Sequence, residues 1–151
     1  MAAIGFVAVV AYAVIGAVQI LVWNPLEAVP GMSLAEIYST VDRAKESLAI
    51  PLVLVWSAIG IALGAAVLVA ALRRPIGVRT VLALVLLVLI LGAPSHLMAS
   101  FPAGMGLADT FAISGGDYSP WGRLLYGVSA LSLISLATLT FRRPGLRRKS
   151  A

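Results

Sequence analysis

Cysteine is absent from the 151 residues, which excludes disulfides, thiolate metal sites and thiol redox chemistry and leaves the compartment open. Charge is scarce: only 11% of residues are Asp, Glu, Lys or Arg, and there is one histidine. Several chemical signatures are missing too. The chain has no glycine-rich phosphate loop with a lysine, no paired histidines at metal-ligand spacing and no nucleophile elbow. Its long apolar windows hold no acid of the kind proton-coupled transport usually needs. No cofactor is therefore expected, and no catalytic or metal-binding residue is assigned.

What remains is apolar. At 61% hydrophobic residues and a mean hydropathy of +1.04, a chain this short has more apolar surface than a water-soluble core could hide. Charged residues are missing from Met1 to Leu26, Ser47 to Leu72, Thr80 to Ala108 and Leu124 to Phe141. A hydrocarbon layer of about 30 Å needs roughly 20 apolar helical residues, so each window is expected to hold one spanning helix. The last window is the shortest, about 27 Å at 1.5 Å per residue, which puts Trp121 and Arg123 at the interface. The unbroken Leu, Val and Ala runs lack the alternation of barrel strands. The expected fold is an all-α integral membrane protein of four transmembrane helices, arranged as two tandem hairpins with short surface helices in the outer loops.

The tandem reading rests on a stretch that occurs twice. Pro30-Gly31-Met32-Ser33-Leu34-Ala35-Glu36-Ile37-Tyr38 returns as Pro102-Ala103-Gly104-Met105-Gly106-Leu107-Ala108-Asp109-Thr110-Phe111, with one inserted residue. Each unit closes on similar punctuation, Leu72-Arg73-Arg74-Pro75 and Phe141-Arg142-Arg143-Pro144. Repeat 1 would run over about 1–77 and repeat 2 over about 78–145, within one transmembrane domain spanning 1–151.

Arginine placement gives the expected orientation. Arg73, Arg74 and Arg79 lie between the second and third windows, and Arg142, Arg143, Arg147, Arg148 and Lys149 follow the fourth. By the positive-inside bias both segments, the tail 142–151 and both termini are cytoplasmic, and both repeated stretches lie outside. The first window, without a basic lead or a small-residue cleavage site, reads as a retained helix. The formal charge of +5 sits mostly in the inner segments, so anionic lipid is the expected partner of Arg73, Arg74, Arg142, Arg143, Arg147, Arg148 and Lys149, and nucleic acid is not. Arginine- and alanine-rich usage suits a bacterial inner (plasma) membrane.

Two groups of polar residues stand out. On the first helix Gly5, Tyr12, Gly16, Gln19 and Trp23 share a narrow arc, and Ser129 and Ser132 share a face of the fourth helix with Thr140. Tyr12, Gln19, Trp23, Ser129 and Ser132 thus form either a packing seam or a polar path. The second group, Glu36, His96, Asp109, Asp117 and Arg123, is expected on the outer surface, with Arg123 either paired with Asp117 or Asp109 or contacting an anion or headgroup beside Tyr118 and Trp121.

Local signals fill in the rest. Ser33 and Glu36 form a capping box opening a surface helix whose apolar face is Leu34, Ile37, Tyr38, Val41 and Leu48. Gly60 and Gly64 make a small-residue face serving the bundle or a partner. Pro94 should bend or stop the third helix and leave His96 near the interface, and Ser119-Pro120 should start the fourth. Function is read as a non-enzymatic structural or accessory subunit that packs with itself or a larger membrane complex. The alternative is a small oligomeric transporter or channel with a polar path between the first and fourth helices. An outer-surface enzyme on lipid-linked substrates, using Glu36, Asp109 or His96, is the third reading.

Overall fold

The structure is a computed structural model that describes residues 1–74 and 76–141. The basic tail with Arg142, Arg143, Arg147, Arg148 and Lys149 lies outside the described residues. Every regular element described is helical, and four helices are long and apolar enough to cross a membrane: Ala2–Ala28, Ile50–Arg73, Val78–Phe111 and Pro120–Phe141.

The first of these is composite. An α-helix, α1 (Ala2–Val18), passes through a π-helical turn (Gln19–Trp23) into α2 (Asn24–Ala28). The π turn precedes Pro25, which lacks the N–H that α-helical geometry would aim at the Leu21 carbonyl. The Tyr38 hydroxyl donates to that carbonyl at 2.8 Å, so a side chain from the next element supplies the missing donor.

That element is α3 (Leu34–Arg43), which begins at the capping box. The Ser33 N–H and hydroxyl both donate to Glu36 at 2.7 Å, and the Glu36 N–H donates back to Ser33 Oγ at 3.3 Å. Ile37 and Val41 are buried as their spacing predicts, packed with Leu48 from the loop that follows and with Ile20, Val53, Ala99, Ala103 and Leu107 into a core that closes one end of the bundle.

Helix α4 (Ile50–Arg73) returns along α1, with Pro51 in its first turn. Its Gly64 faces Val9, whose Cγ1 would lie 3.0 Å from an added Cβ, and Ser57 donates to the Ala13 carbonyl. The small-residue face of this helix is therefore spent inside the bundle.

Helix α5 (Val78–Phe111) runs through Pro94 and Pro102 without stopping, and only Ala112, in a left-handed conformation (φ 54°), ends it. Each proline removes one ladder bond, but Leu89, His96, Ala99, Ala103 and Leu107 are all buried, and packing outweighs those local losses. At about 51 Å the helix exceeds any hydrocarbon layer, and its last turns lie beside α3. The two repeated stretches thus differ: Pro30-Gly31 breaks the chain before a separate helix, whereas the Pro102 copy continues α5.

Helix α6 (Pro120–Phe141) begins at its proline as expected. The Ser119 hydroxyl, fully buried, nevertheless makes no hydrogen bond. Helix α6 packs along α5, and Arg79 at the start of α5 donates to the Leu139 carbonyl in the last turn of α6, a cation at the negative end of a helix dipole.

Candidate functional site

Inside the bundle, four polar side chains from three elements and a loop are linked in series. Gln19, at the first position of the π turn, donates from Nε2 to Asp117 Oδ1 at 3.1 Å. Its Oε1 lies 3.0 Å from His96 Nε2, and His96 Nδ1 lies 3.4 Å from the Tyr126 hydroxyl. Gln19 and His96 are fully buried, Tyr126 is partly buried, and Asp117 is exposed, so the chain leads from solvent into the interior.

Donor counting fixes the protons. An ionised Asp117 carboxylate only accepts, so it takes the Gln19 NH2 and leaves the amide oxygen for His96. His96 must then donate from Nε2 to that oxygen, and its Nδ1 faces the Tyr126 hydroxyl. Both orientations follow from the network, since neither an amide nor an imidazole displays them directly.

Glycines make the room. A Cβ at Gly16 would sit 2.5 Å from the Trp56 ring and 3.3 Å from His96 Cδ2, and one at Gly122 would sit 2.8 Å from Asp117 Oδ2. The Trp56 and Tyr126 rings stand edge-on to His96, each with its centroid 5.6 Å away. The imidazole is thus held by two hydrogen bonds and two aromatic contacts.

One step deeper, the Tyr12 and Ser129 hydroxyls meet at 3.1 Å, and Ser129 donates to the Leu89 carbonyl at 2.7 Å. Gly92 lets the Tyr12 ring lie flush against α5, where an added Cβ would be 2.6 Å from the ring. Ser132 is buried but bonds only within its own helix, to the Val128 carbonyl. Toward the arginine end Ser132 is the last buried polar side chain among the described residues, and the other buried neighbours there are apolar: Val9, Val81, Val85 and Leu86.

The sequence-derived groups are thus divided differently. Tyr12 and Gln19 lie in the interior, with Ser129 opposite Tyr12, while Trp23 turns aside to stack on Trp121 at 4.9 Å. Of the second group, His96 joins Gln19 inside the bundle, and Asp117 touches the same amide from the loop. Glu36 is engaged in its cap, and Asp109 and Arg123 are exposed. Tyr126 was missed by sequence reasoning, although it lies one helical turn before Ser129 on an apolar helix and a 3.6-residue wheel would have flagged it. Asn24 was likewise missed, and its Oδ1 accepts from the N–H groups of Tyr118 (2.7 Å) and Ser119 (3.3 Å) and pins the second loop to the first helix.

Among the described residues no three His, Asp or Glu side chains gather where they could hold a metal ion. A cavity of about 380 Å³ lies between α1, α4 and α5 and is lined chiefly by apolar side chains such as Trp56, Leu63, Leu89 and Met98. No known family, curated protein or solved structure matches the chain. Fold and site define its class: an all-helical protein with four helices apolar enough for a bilayer and a buried polar cluster toward one end.

Proposed function

We propose that the protein is a multi-pass plasma-membrane component acting as a non-enzymatic structural or accessory subunit, packed with itself or within a larger membrane complex. The observation that carries this reading is where the polar chain ends. It enters at Asp117, passes Gln19, His96 and Tyr126, and gives way beyond Tyr12, Ser129 and Ser132 to an apolar half-bundle. Buried polar groups that satisfy one another across helices contribute rigidity and specificity, whereas a conduction path needs polar lining from face to face. Helices α4 and α6 supply the packing surface: only 17% of the most apolar window of each is buried within the chain, against 33% for the other two.

In this reading the α3 end is extracytoplasmic, and Arg73 and Arg74, both exposed, meet anionic lipid on the cytoplasmic side at about 1 kcal/mol per basic residue. Extraction in a gentle detergent followed by native mass spectrometry tests the assignment. A homo-oligomer or a stoichiometric membrane partner is expected, and recovery as a bare monomer overturns it.

The alternative, a small oligomeric transporter, draws on the same chain read from its exposed end, because Asp117 to His96 makes a polar entry from one surface. Uptake by proteoliposomes that is abolished in His96→Leu would favour transport over the subunit reading.

A further inference from the structure

A second polar feature opens beside the buried cluster and shares only Asp117 with it. Between α2, α5 and the loop ahead of α6 lies a cleft of about 90 Å³ lined by Asn24, Ser100, Gly104, Gly115 and Asp117, with Leu97 and Phe101 at its margin. Its wall depends on a close backbone approach, because a Cβ at Gly104 would lie 2.6 Å from the Gly115 carbonyl oxygen.

The orientation of Asn24 is dictated by its neighbours. Two backbone N–H groups, of Tyr118 and Ser119, point at one atom of its amide, which must therefore be the oxygen. The NH2 is forced to the other side. Asn24 is only 6% exposed and lines the cleft, and among the described residues its Nδ2 donates to nothing. That NH2 retains accessible surface in the cleft, since Ser119 Oγ is the one fully buried side-chain polar atom without a partner among the described residues, so both its donors are open to an acceptor bound there.

Asp117 contributes the opposite chemistry. One carboxylate oxygen takes the Gln19 amide and the Tyr126 hydroxyl lies close to the same group, while the exposed side of the carboxylate, which lines the cleft, can still accept from a cation. A ligand that satisfies both groups carries an ammonium and, a few atoms away, an anionic oxygen.

Depth selects the source of such a ligand. Leu97 lies 18 residues, about 27 Å, along α5 from Arg79, close to one hydrocarbon thickness. Leu97 and Phe101 are 57% and 64% exposed, so the polar cleft sits directly above an outward-facing apolar surface. The Trp23–Trp121 pair belongs to the same end of the bundle, as interfacial aromatics do.

We infer that this cleft binds the aminoethyl-phosphate headgroup of a membrane lipid, the ammonium on Asp117 and a phosphate oxygen on the Asn24 amide, with the acyl chains running over Leu97 and Phe101. The inference needs only the membrane-spanning reading and holds whether the protein is a subunit or a transporter. Charge-assisted N–H···O bonds of this kind discriminate by chemistry. A choline headgroup has no N–H to donate, and a glycerol headgroup has no cation to offset Asp117. The cleft also has room for only a few water-sized groups, which favours a primary amine over a trimethylated one.

Native mass spectrometry of the full chain, released from vesicles holding equal parts of aminoethyl, choline and glycerol phospholipids with identical acyl chains, tests it. Wild type is expected to retain the aminoethyl lipid about tenfold over the other two, equivalent to about 1.4 kcal/mol. Asp117→Asn, which still accepts from Gln19, should reduce that preference to within about twofold. Asn24→Asp keeps the acceptor for Tyr118 and Ser119 but removes the NH2, and should lose the preference as well. Equal retention of the three lipids by wild type overturns the site, and so does a preference that survives both substitutions. Thermal protection by soluble phosphoethanolamine as large as that by the lipid overturns the assignment to a membrane lipid.

Discussion

Gln19 and Asp117, 98 residues apart in the chain, meet at 3.1 Å, and this one bond sets the protonation pattern of the buried histidine beyond it. Because the carboxylate claims the amide NH2, the amide oxygen faces His96 and requires a proton on Nε2. Structure and chemistry are coupled here through a residue that does not itself titrate.

Removing the amide is expected to be expensive. Gln19→Leu leaves the His96 Nε2–H buried without a partner, a loss of about 1–3 kcal/mol. His96→Leu introduced alongside it should cost less than the sum of the two single changes, with a coupling of about 0.5–3 kcal/mol. Denaturant unfolding of the four proteins in detergent micelles measures the cycle, and strict additivity would show that the two residues do not act on each other.

Glycine substitutions should divide by what the new methyl meets. Gly92→Ala drives a Cβ to 2.6 Å from the Tyr12 ring and should destabilise by about 1–3 kcal/mol while loosening the Tyr12–Ser129 contact. Gly127 has nothing within 4 Å of its Cβ position and lies inside α6, so Gly127→Ala should stabilise by up to about 1 kcal/mol. Tyrosine fluorescence and thermal midpoints would report the contrast.

Acid should loosen the start of α3 before anything else. The Ser33 hydroxyl, followed by the Ser33 N–H, holds the Glu36 carboxyl below the usual carboxylate range. A folded-state pKa below the unfolded one means that the stabilisation is complete above the ordinary Glu value near 4.5 and disappears as the pH falls through the lowered value. Amide hydrogen exchange over residues 33–37 should accelerate, after correction for intrinsic rates, as the pH falls below the ordinary carboxylate range. Ser33→Ala keeps the backbone N–H but removes the hydroxyl, the larger cause, so it should weaken the pH dependence, and an unchanged profile in that variant would reject the hydroxyl as its main origin.

Orientation can be read directly because the chain has no cysteine of its own. A cysteine at Ser39, exposed on α3, is expected to react with an impermeant maleimide added outside intact cells. One at Arg74, exposed at the opposite end, should react only after permeabilisation. The inverse pattern would reverse the topology.

Particular residues show how far sequence reasoning reached. The Ser33–Glu36 box, the Ile37–Val41 face and the Pro120 start of α6 are encoded within one or two helical turns and appear in the fold. Leu48, expected on the same face as Ile37 and Val41, lies beyond the end of α3 at Arg43 and is buried from the loop that follows. Pro94 does not stop the helix, because the burial of His96 and Ala99 just beyond it outweighs the lost ladder bond. His96, expected on the outer surface, is instead fully buried, although it stands beside Leu97 at the depth expected of the interface. Its place beside Gln19 depends on α5 continuing for another four turns.

Charge-free windows of sufficient length, repeated glycines and the arginine punctuation determine by themselves that this chain makes long apolar helices, since periodicity and hydropathy are properties of neighbouring residues. Which polar side chains face one another was decided only when α1, α5 and α6 came together. Hydrogen bonds between residues dozens of positions apart depend on helix rotation, on the π turn at Gln19 and on glycine-sized gaps, and local sequence specifies none of these singly.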